Sequence, residues 1–330
     1  MNAPRTRVQR RPVHGVLLLD KPLGWSSNDI LQKVKWLLRA EKAGHTGTLD
    51  PLASGVLPLC FGAATKFSQL QLEAEKTYEA IARLGQTTTT ADAEGDVVLE
   101  RAVDLAAITP ERLAQVQAQF TGDIKQVPPM HSALKKDGKA LYEYARAGVE
   151  VERPARDVTI HALDLTLVQD DQGHPAVKMR VTCSKGTYIR TLGEDVGEAL
   201  GCGAHLRFLR RVETGGLEVS RCVTLQALEA MNDEERIAQV QPVDTLLHRH
   251  AVVTLGEQDA GRFLSGLRRR GSWADAPAVA VYGERPHALL GVGRVVSGEL
   301  IPERLLSPLE IQQILEGTPR PQASGILETL

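Results

Sequence analysis

The sequence predicts a large unit of mixed α and β elements followed by a small β-rich one. Three observations carry this. At 330 residues the chain exceeds the usual size of one domain. In its longer N-terminal part, segments that alternate between apolar and polar residues, KTYEAIARLG and AVKMRVTCSKG, interchange with segments of helical spacing. Beyond QPVDTLLHRH the pattern changes to short apolar runs, AVVTL, AVAVYG and ALLGVGRVV, separated by Gly and Pro. The boundary is placed near residue 248, giving units over 12–247 and 248–317, with loose tails at 1–11 and 318–330.

In chain order, HGVLLLDKP reads as a buried strand ended by Pro22. Ser26, three residues ahead of Asp29, opens a helix through GWSSNDILQKVKWLLRAEK in the manner of a capping box. Ile30, Val34, Leu37 and Leu38 share one face of that helix, and Lys35, Arg39 and Lys42 a second. Gly44 to Pro58 is read as a loop that presents Asp50, because Pro51 disfavours helical geometry there and the glycines open other conformations. In AVKMRVTCSKG, Val177, Met179, Val181 and Cys183 share the buried face of a strand and Lys178, Arg180 and Thr182 the other. A helix follows with Leu192, Val196 and Leu200 in register and Gly201 as its stop, which puts Tyr188 and Arg190 at a strand-to-helix junction. HLRFLRR is read as helical, with Arg207, Arg210 and Arg211 on a face suited to phosphates.

Apolar residues at 42% and charged residues at 24% are globular values, and no stretch spans a bilayer. The basic N-terminus lacks the apolar middle of a secretory signal, so a cytoplasmic location is expected. Four scattered cysteines without a CxxC pair argue against a disulfide framework or a zinc knuckle. A net charge of −2 does not point to nucleic acid, yet the basic residues gather in clusters such as LKKDGK, HLRFLRR and GLRRRG, away from acidic ones such as QDDQG and NDEE. No sustained heptad is visible, and a monomer is expected.

An aspartate among glycines and threonines is usually a turn former. Asp50 stands out because His45, Thr46 and Thr48 crowd hydrogen-bonding groups around it and Pro51 follows it. A carboxylate held in this way serves as nucleophile, base or ion-pair partner. Asp92, in TTTTADAEGD, is read as capping a turn.

GHTGTLDPLASGVLPLCFGAATK resembles the catalytic-aspartate motif of the TruB-type pseudouridine synthases. GVLLLDKPLGWSSND, KTYEAIARLGQTTTTADAEGD, QVPPMHSALKKDGKALYEYARAG and CSKGTYIRTLGEDVGEALGCGAHLRFLRR are similar to segments of that family in the same order, over roughly residues 12 to 315. His131 departs from the aromatic expected at its position. The resemblance implies an α/β (α+β) fold with a mixed, largely antiparallel central sheet flanked by helices, and a small C-terminal PUA-like domain that grips RNA. It implies an isomerase that turns a uridine in the T-arm loop of tRNA, position 55, into pseudouridine without a cofactor or metal. Asp50 is then the nucleophile, attacking C1′ or C6. Tyr78 stacks on the base and accepts a proton, and Arg190 pairs with the carboxylate to keep it ionised, where Glu194 is the alternative partner. Tyr188 and Leu209 line the base pocket, His45 contacts the RNA and helps to extrude the nucleotide, and Lys21 supports the motif loop or a phosphate, unless it is merely solvated. The competing readings are a non-catalytic RNA-binding protein or tRNA folding chaperone, and a nucleosidase that releases uracil.

Overall fold

The structure, a computed structural model, describes residues 9–317. Apart from residues 9–11, the predicted tails lie outside the described residues. β1 (Gly15–Lys21) is apolar and buried almost throughout, and Pro22 follows its last residue. α1 (Ser27–Leu37) starts at Ser26, whose hydroxyl accepts the Asp29 N–H at 3.1 Å, and turns Ile30, Leu31, Val34 and Leu37 into the core. It ends earlier than its charge spacing suggested. Arg39 has a φ of 52°, through which a right-handed helix cannot continue, so Lys35, Arg39 and Lys42 do not share a helical face.

β2 (Ala43–His45) and β3 (Ala53–Phe61) take both ends of the segment read as a loop. The true loop is 46–52. β3 is buried at every position, and its Gly55 and Pro58, which resemble turn residues in the sequence, are strand residues. A Cβ on Gly55 would lie 2.1 Å from the Arg211 carbonyl oxygen, so only glycine allows the neighbouring strand this close.

The short helix α2 (Ser68–Leu72) leads to β4 (Lys76–Leu84), and the hairpin β5 (Gln86–Thr88) and β6 (Val97–Glu100) carries Asp92 in its connection. Then come α3 (Pro110–Gln119), β7 (Gly122–Gln126), the small hairpin β8 (Lys135–Lys136) and β9 (Lys139–Ala140), α4 (Leu141–Arg146), β10 (Arg156–Gln169), β11 (Pro175–Cys183), α5 (Ile189–Ala199), β12 (Ala204–Thr214), β13 (Leu217–Glu218) and β14 (Val223–Thr224). The main sheet runs β14-β1-β3-β12-β4-β11-β10-β7, with β2 paired to β3 and β13 to β12. Only β1–β14 and β3–β12 are parallel, so the sheet is mixed and largely antiparallel, as expected.

β12 corrects the helical reading of HLRFLRR. It lies between β3 and β4 in the middle of the sheet, where pairing on both edges outweighs local helical spacing. Its three arginines consequently separate. Arg207 reaches Asp171 at 3.5 Å, Arg210 reaches Asp20 at 2.7 Å, and Arg211 is buried at 1% exposure.

α5 packs closely on β12, since a Cβ on Gly197 would meet Ala204 at 2.4 Å, and Gly201, with φ 89°, ends the turn that follows. Its half-buried acids are strained electrostatically: burial and Asp195 push Glu194 up to about 7, and burial and Glu198 push Asp195 up to about 6. A carboxyl whose folded value is raised contributes stability fully present below its unfolded value and lost as pH rises through its folded one. Glu194→Gln is therefore expected to raise Tm by roughly 2–4 °C at pH 8 and to leave it nearly unchanged at pH 4, as thermal melts at the two values would show.

The C-terminal β domain comprises β15 (Ala251–Leu255), β16 (Arg269–Arg270), β17 (Ala276–Gly283), β18 (Ala288–Val296) and β19 (Glu299–Leu305), in the order β15-β17-β18-β19-β16. It has its own core around Val253, Phe263 and Val281 and shares another with the main sheet, where Val16, Leu18 and Val56 meet Ala280, Leu289 and Val292. The arginines of GLRRRG are compensated: Arg268 and Arg270 pair with Glu299, and Arg269 with Asp259. Among the described residues no helix is long and apolar enough to cross a membrane.

Candidate active site

The loop that carries Asp50 is tied down from three sides. The Ser27 hydroxyl accepts the Leu49 N–H at 2.8 Å and donates to the Leu49 carbonyl at 3.0 Å, the Gly24 N–H donates to Pro51 O at 2.9 Å, and Thr46 N–H donates to Pro58 O at 3.1 Å. Lys21 underpins it. Fully buried, its ammonium donates to Ala53 O at 2.6 Å and Pro22 O at 3.0 Å, and burial pushes its pKa down to about 8. Of the readings offered for Lys21, surface solvation is thus excluded by its position, and loop support is what its bonds provide. Lys21→Met leaves the buried Ala53 carbonyl without its charged donor and is expected to cost about 1–3 kcal/mol, read from urea unfolding.

Asp50 points from this loop into a cleft of about 580 Å³ whose walls include Tyr78, Tyr188, Leu209, Arg190 and Arg211. Arg190, 4% exposed, places Nε 2.9 Å from the Asp50 carboxylate. Its remaining donors are also occupied: Nη1 donates to Thr90 O at 3.0 Å and lies 3.6 Å from Asp92 Oδ2, and Nη2 donates to His131 O at 2.7 Å. With both ends of the guanidinium committed, the carboxylate it holds is fixed in direction. Asp92 caps its turn, accepting the Thr90 hydroxyl at 2.6 Å and the Glu94 N–H at 3.0 Å, and additionally forms the far side of the Arg190 network.

Burial raises the Asp50 carboxyl above its ordinary value and Asp92 adds to this, against the opposing pull of Arg190 and Lys21. The expected lowering by Arg190 is present but is outweighed. A carboxylate that is oriented by an arginine and still more basic than an ordinary one is well suited to attack carbon.

Tyr78 projects from β4 opposite Val181 on one side and Arg211 on the other, and burial raises its hydroxyl while Arg211 opposes the rise. Tyr188 precedes α5, its N–H donating to Gln126 Oε1 at 2.7 Å and its carbonyl accepting from Gln126 Nε2 at 3.0 Å. Leu209 is opposed by Ala53 and Ala80, small neighbours that let it form a flat wall. His45 stands apart: it sits in β2 opposite Leu59, is not part of the cleft wall, and burial lowers its pKa so that the ring is neutral near pH 7. Thus Asp50, Tyr78, Tyr188, Arg190 and Leu209 converge on one cleft, whereas Lys21 is buried against Ala53 at the end of the loop and His45 lies in β2, outside the cleft wall. Reading the sequence did not place Lys76 or Arg211 at the site, although both line the cleft. Strand alternation from Leu209 to Arg211 was the signal for the second. Among the described residues no three metal-ligating side chains cluster.

Comparison with known proteins places the chain in a family. Residues 35–189 match the family model described as TruB family pseudouridylate synthase (N terminal domain), and residues 190–248 match the tRNA pseudouridylate synthase B C-terminal domain. The tRNA pseudouridine synthase B of Verminephrobacter eiseniae is 67% identical over 99% of this chain and 98% of its own. That of Ralstonia nicotianae is 61% identical over 90% of this chain and 95% of its own. Among solved structures, a chain of a Cbf5-Nop10-Gar1 complex superposes with a TM-score of 0.63 at 27% identity, covering 92% of this chain and 82% of that one. A chain of an H/ACA RNP bound to a substrate RNA containing 2′-deoxyuridine shares the fold, with a TM-score of 0.65 at 23% identity and coverage of 89% and 86%.

Proposed function

The chain belongs to the TruB family of pseudouridylate synthases, and on that premise we propose that it isomerises the uridine at position 55, in the T-arm loop of tRNA, with Asp50 as nucleophile. The observation that carries this reading is the Arg190-held carboxylate facing a cleft with two tyrosines and a leucine in its wall. A uridine in a folded loop hides C1′ and C5, so the nucleotide must be everted, at a cost of a few kcal/mol. Tyr78, Tyr188 and Leu209 offer the aromatic and apolar surfaces that compensate for lost stacking. The Asp50 carboxylate attacks either C1′ or C6, the N1–C1′ bond breaks, the base turns within the cleft, C5 joins C1′, and the bond to Asp50 breaks, either as C5 displaces it from C1′ or by its expulsion from C6, so that the carboxylate is restored. Tyr78 takes the proton that C5 must lose. His45, in β2 just ahead of the Asp50 loop, contacts the RNA outside the cleft, and the C-terminal domain serves as a PUA-like accessory for RNA, through groups other than the acid-paired Arg268 to Arg270.

Isomerisation leaves the RNA's mass unchanged, whereas a nucleosidase would lower it by the lost base. Treating a tRNA transcript with the protein, weighing it and mapping pseudouridine should show one pseudouridine, at 55, in RNA of unaltered mass. Loss of uracil, or unmodified RNA after stoichiometric treatment, would refute the proposal.

A further inference from the structure

Arg211 is an uncompensated buried cation. Its Nε donates to Val56 O at 2.8 Å, its Nη2 is buried without a hydrogen-bond partner, and among the described residues no carboxylate lies within ion-pair distance of it. The other arginines of β12 both have acids. A buried guanidinium with a spare donor is costly unless an anion arrives. Its backbone is clamped, with Gly55 of β3 on one side and Tyr78 of β4 on the other. Residues directly opposed across two strands project on the same face, so the Arg211 and Tyr78 side chains leave the sheet together, into the cleft that Asp50 faces. Gly47 of the Asp50 loop lies over the guanidinium, a Cβ there falling 3.5 Å from Nη1.

We propose that Arg211 is a positioning residue for the reaction: its buried guanidinium holds Tyr78 and stabilises the phenolate with which Tyr78 takes the C5 proton. The inference rests on the reading of Tyr78 as proton acceptor given above. Once C5 has joined C1′, the C5–H bond breaks and the proton passes to the phenolate oxygen. The electron pair left behind becomes the C5=C6 bond; after attack on C1′ the C6=N1 pair moves to N1, after addition to C6 the Asp50 carboxylate leaves C6, and in either case N1 takes a proton from solvent. The phenolate arises beforehand by losing its own proton to solvent. Burial opposes that loss, as do Cys183 from β11 and Asp50 from its loop, and Arg211 is the cation that favours it. Lys76, at the start of β4, is itself pushed down to about 8 by burial and by Arg211, and its ammonium is engaged by the Leu72 carbonyl at 2.7 Å. That leaves Arg211 as the group turned to the tyrosine.

Single-turnover rates and RNA affinity, measured from about pH 6 to 9, test this. Arg211→Met is expected to bind tRNA as the parent does and to form product about 10²-fold more slowly near neutrality, its rate climbing with pH where the parent's is level. Arg211→Lys should recover most of the rate. In a Tyr78→Phe background, Arg211→Met should cost less than about threefold more, because the group it serves is gone. Multiplicative losses, or a pH profile that superimposes on the parent's after scaling, would overturn the inference while leaving the enzyme reading in place. A parent protein that forms no pseudouridine would overturn both. Should Arg211→Met fail to fold, Arg211→Gln carries the test through the ¹⁹F titration of fluorotyrosine at position 78, which must move upward from the parent's once the cation is gone; an unmoved titration refutes the inference.

Discussion

Asp50→Asn is expected to retain tRNA binding and to lower product formation by more than about 10³-fold in single turnover. The amide has the shape of the carboxylate and still offers an oxygen to Arg190 Nε, which sits 2.9 Å from Asp50, so the loop and cleft persist. What disappears is the anion. Neither attack on C1′ nor addition to C6 proceeds from a neutral amide at a useful rate, so the loss falls on the chemical step and leaves binding unaffected. The same variant separates the enzyme from a folding chaperone, since a chaperone using Asp50 only as a turn residue would lose nothing. Filter binding alongside product mapping gives both numbers from one preparation.

Arg190→Met has the largest expected effect on stability. Arg190 is 4% exposed and joins Asp50, Asp92 and the carbonyls of Thr90 and His131, four groups from three separate segments. Removing the cation leaves two carboxylates facing each other with no charge between them, and breaking a buried pair in this way costs about 3–5 kcal/mol. The rate should also fall, by about 10²-fold or more, because the nucleophile loses its fixed direction. The sign of its pH dependence follows from Asp50. Its carboxyl is already raised by burial, and without Arg190 it rises further, so the variant's acid limb should move to higher pH than the parent's. Urea unfolding and a pH–rate profile check the two halves. Arg190→Lys, which keeps charge but cannot bridge both acids, should recover stability better than rate.

The central site was legible in the sequence chiefly through the family resemblance that its strongly marked segments carry, since nothing local says that Tyr78, Arg190 and Leu209 meet Asp50. Asp50 is flanked by hydrogen-bonding residues and Pro51, which suit a held loop as well as an ordinary turn, and Tyr188 and Arg190 sit where a strand pattern gives way to a helical one. The failures have a common physical origin. Gly55 and Pro58 look like loop residues, but both lie in β3, where Gly55 permits close approach to β12, a neighbour 155 residues away in the chain at the Arg211–Val56 bond. HLRFLRR has helical spacing, but two flanking strands decide its conformation. Lys21 has the composition of a surface residue and is fully buried, since one of the carbonyls that accept its protons, that of Ala53, comes from the start of β3, which local sequence cannot bring near. Asp92 was legible as a cap, yet its second role depends on Arg190, which arrives from α5, far along the chain.

The most direct test uses a T-arm stem-loop carrying tritium only at C5 of the uridine at position 55. Rejoining through C5 expels that hydrogen, whereas cleavage without rejoining, or binding alone, does not. The account predicts release of one tritium per RNA into water, at the rate of pseudouridine formation with the parent protein and at less than about a thousandth of it with Asp50→Asn. Tritium retained in the RNA or carried off on free uracil, or released equally by Asp50→Asn, would contradict it.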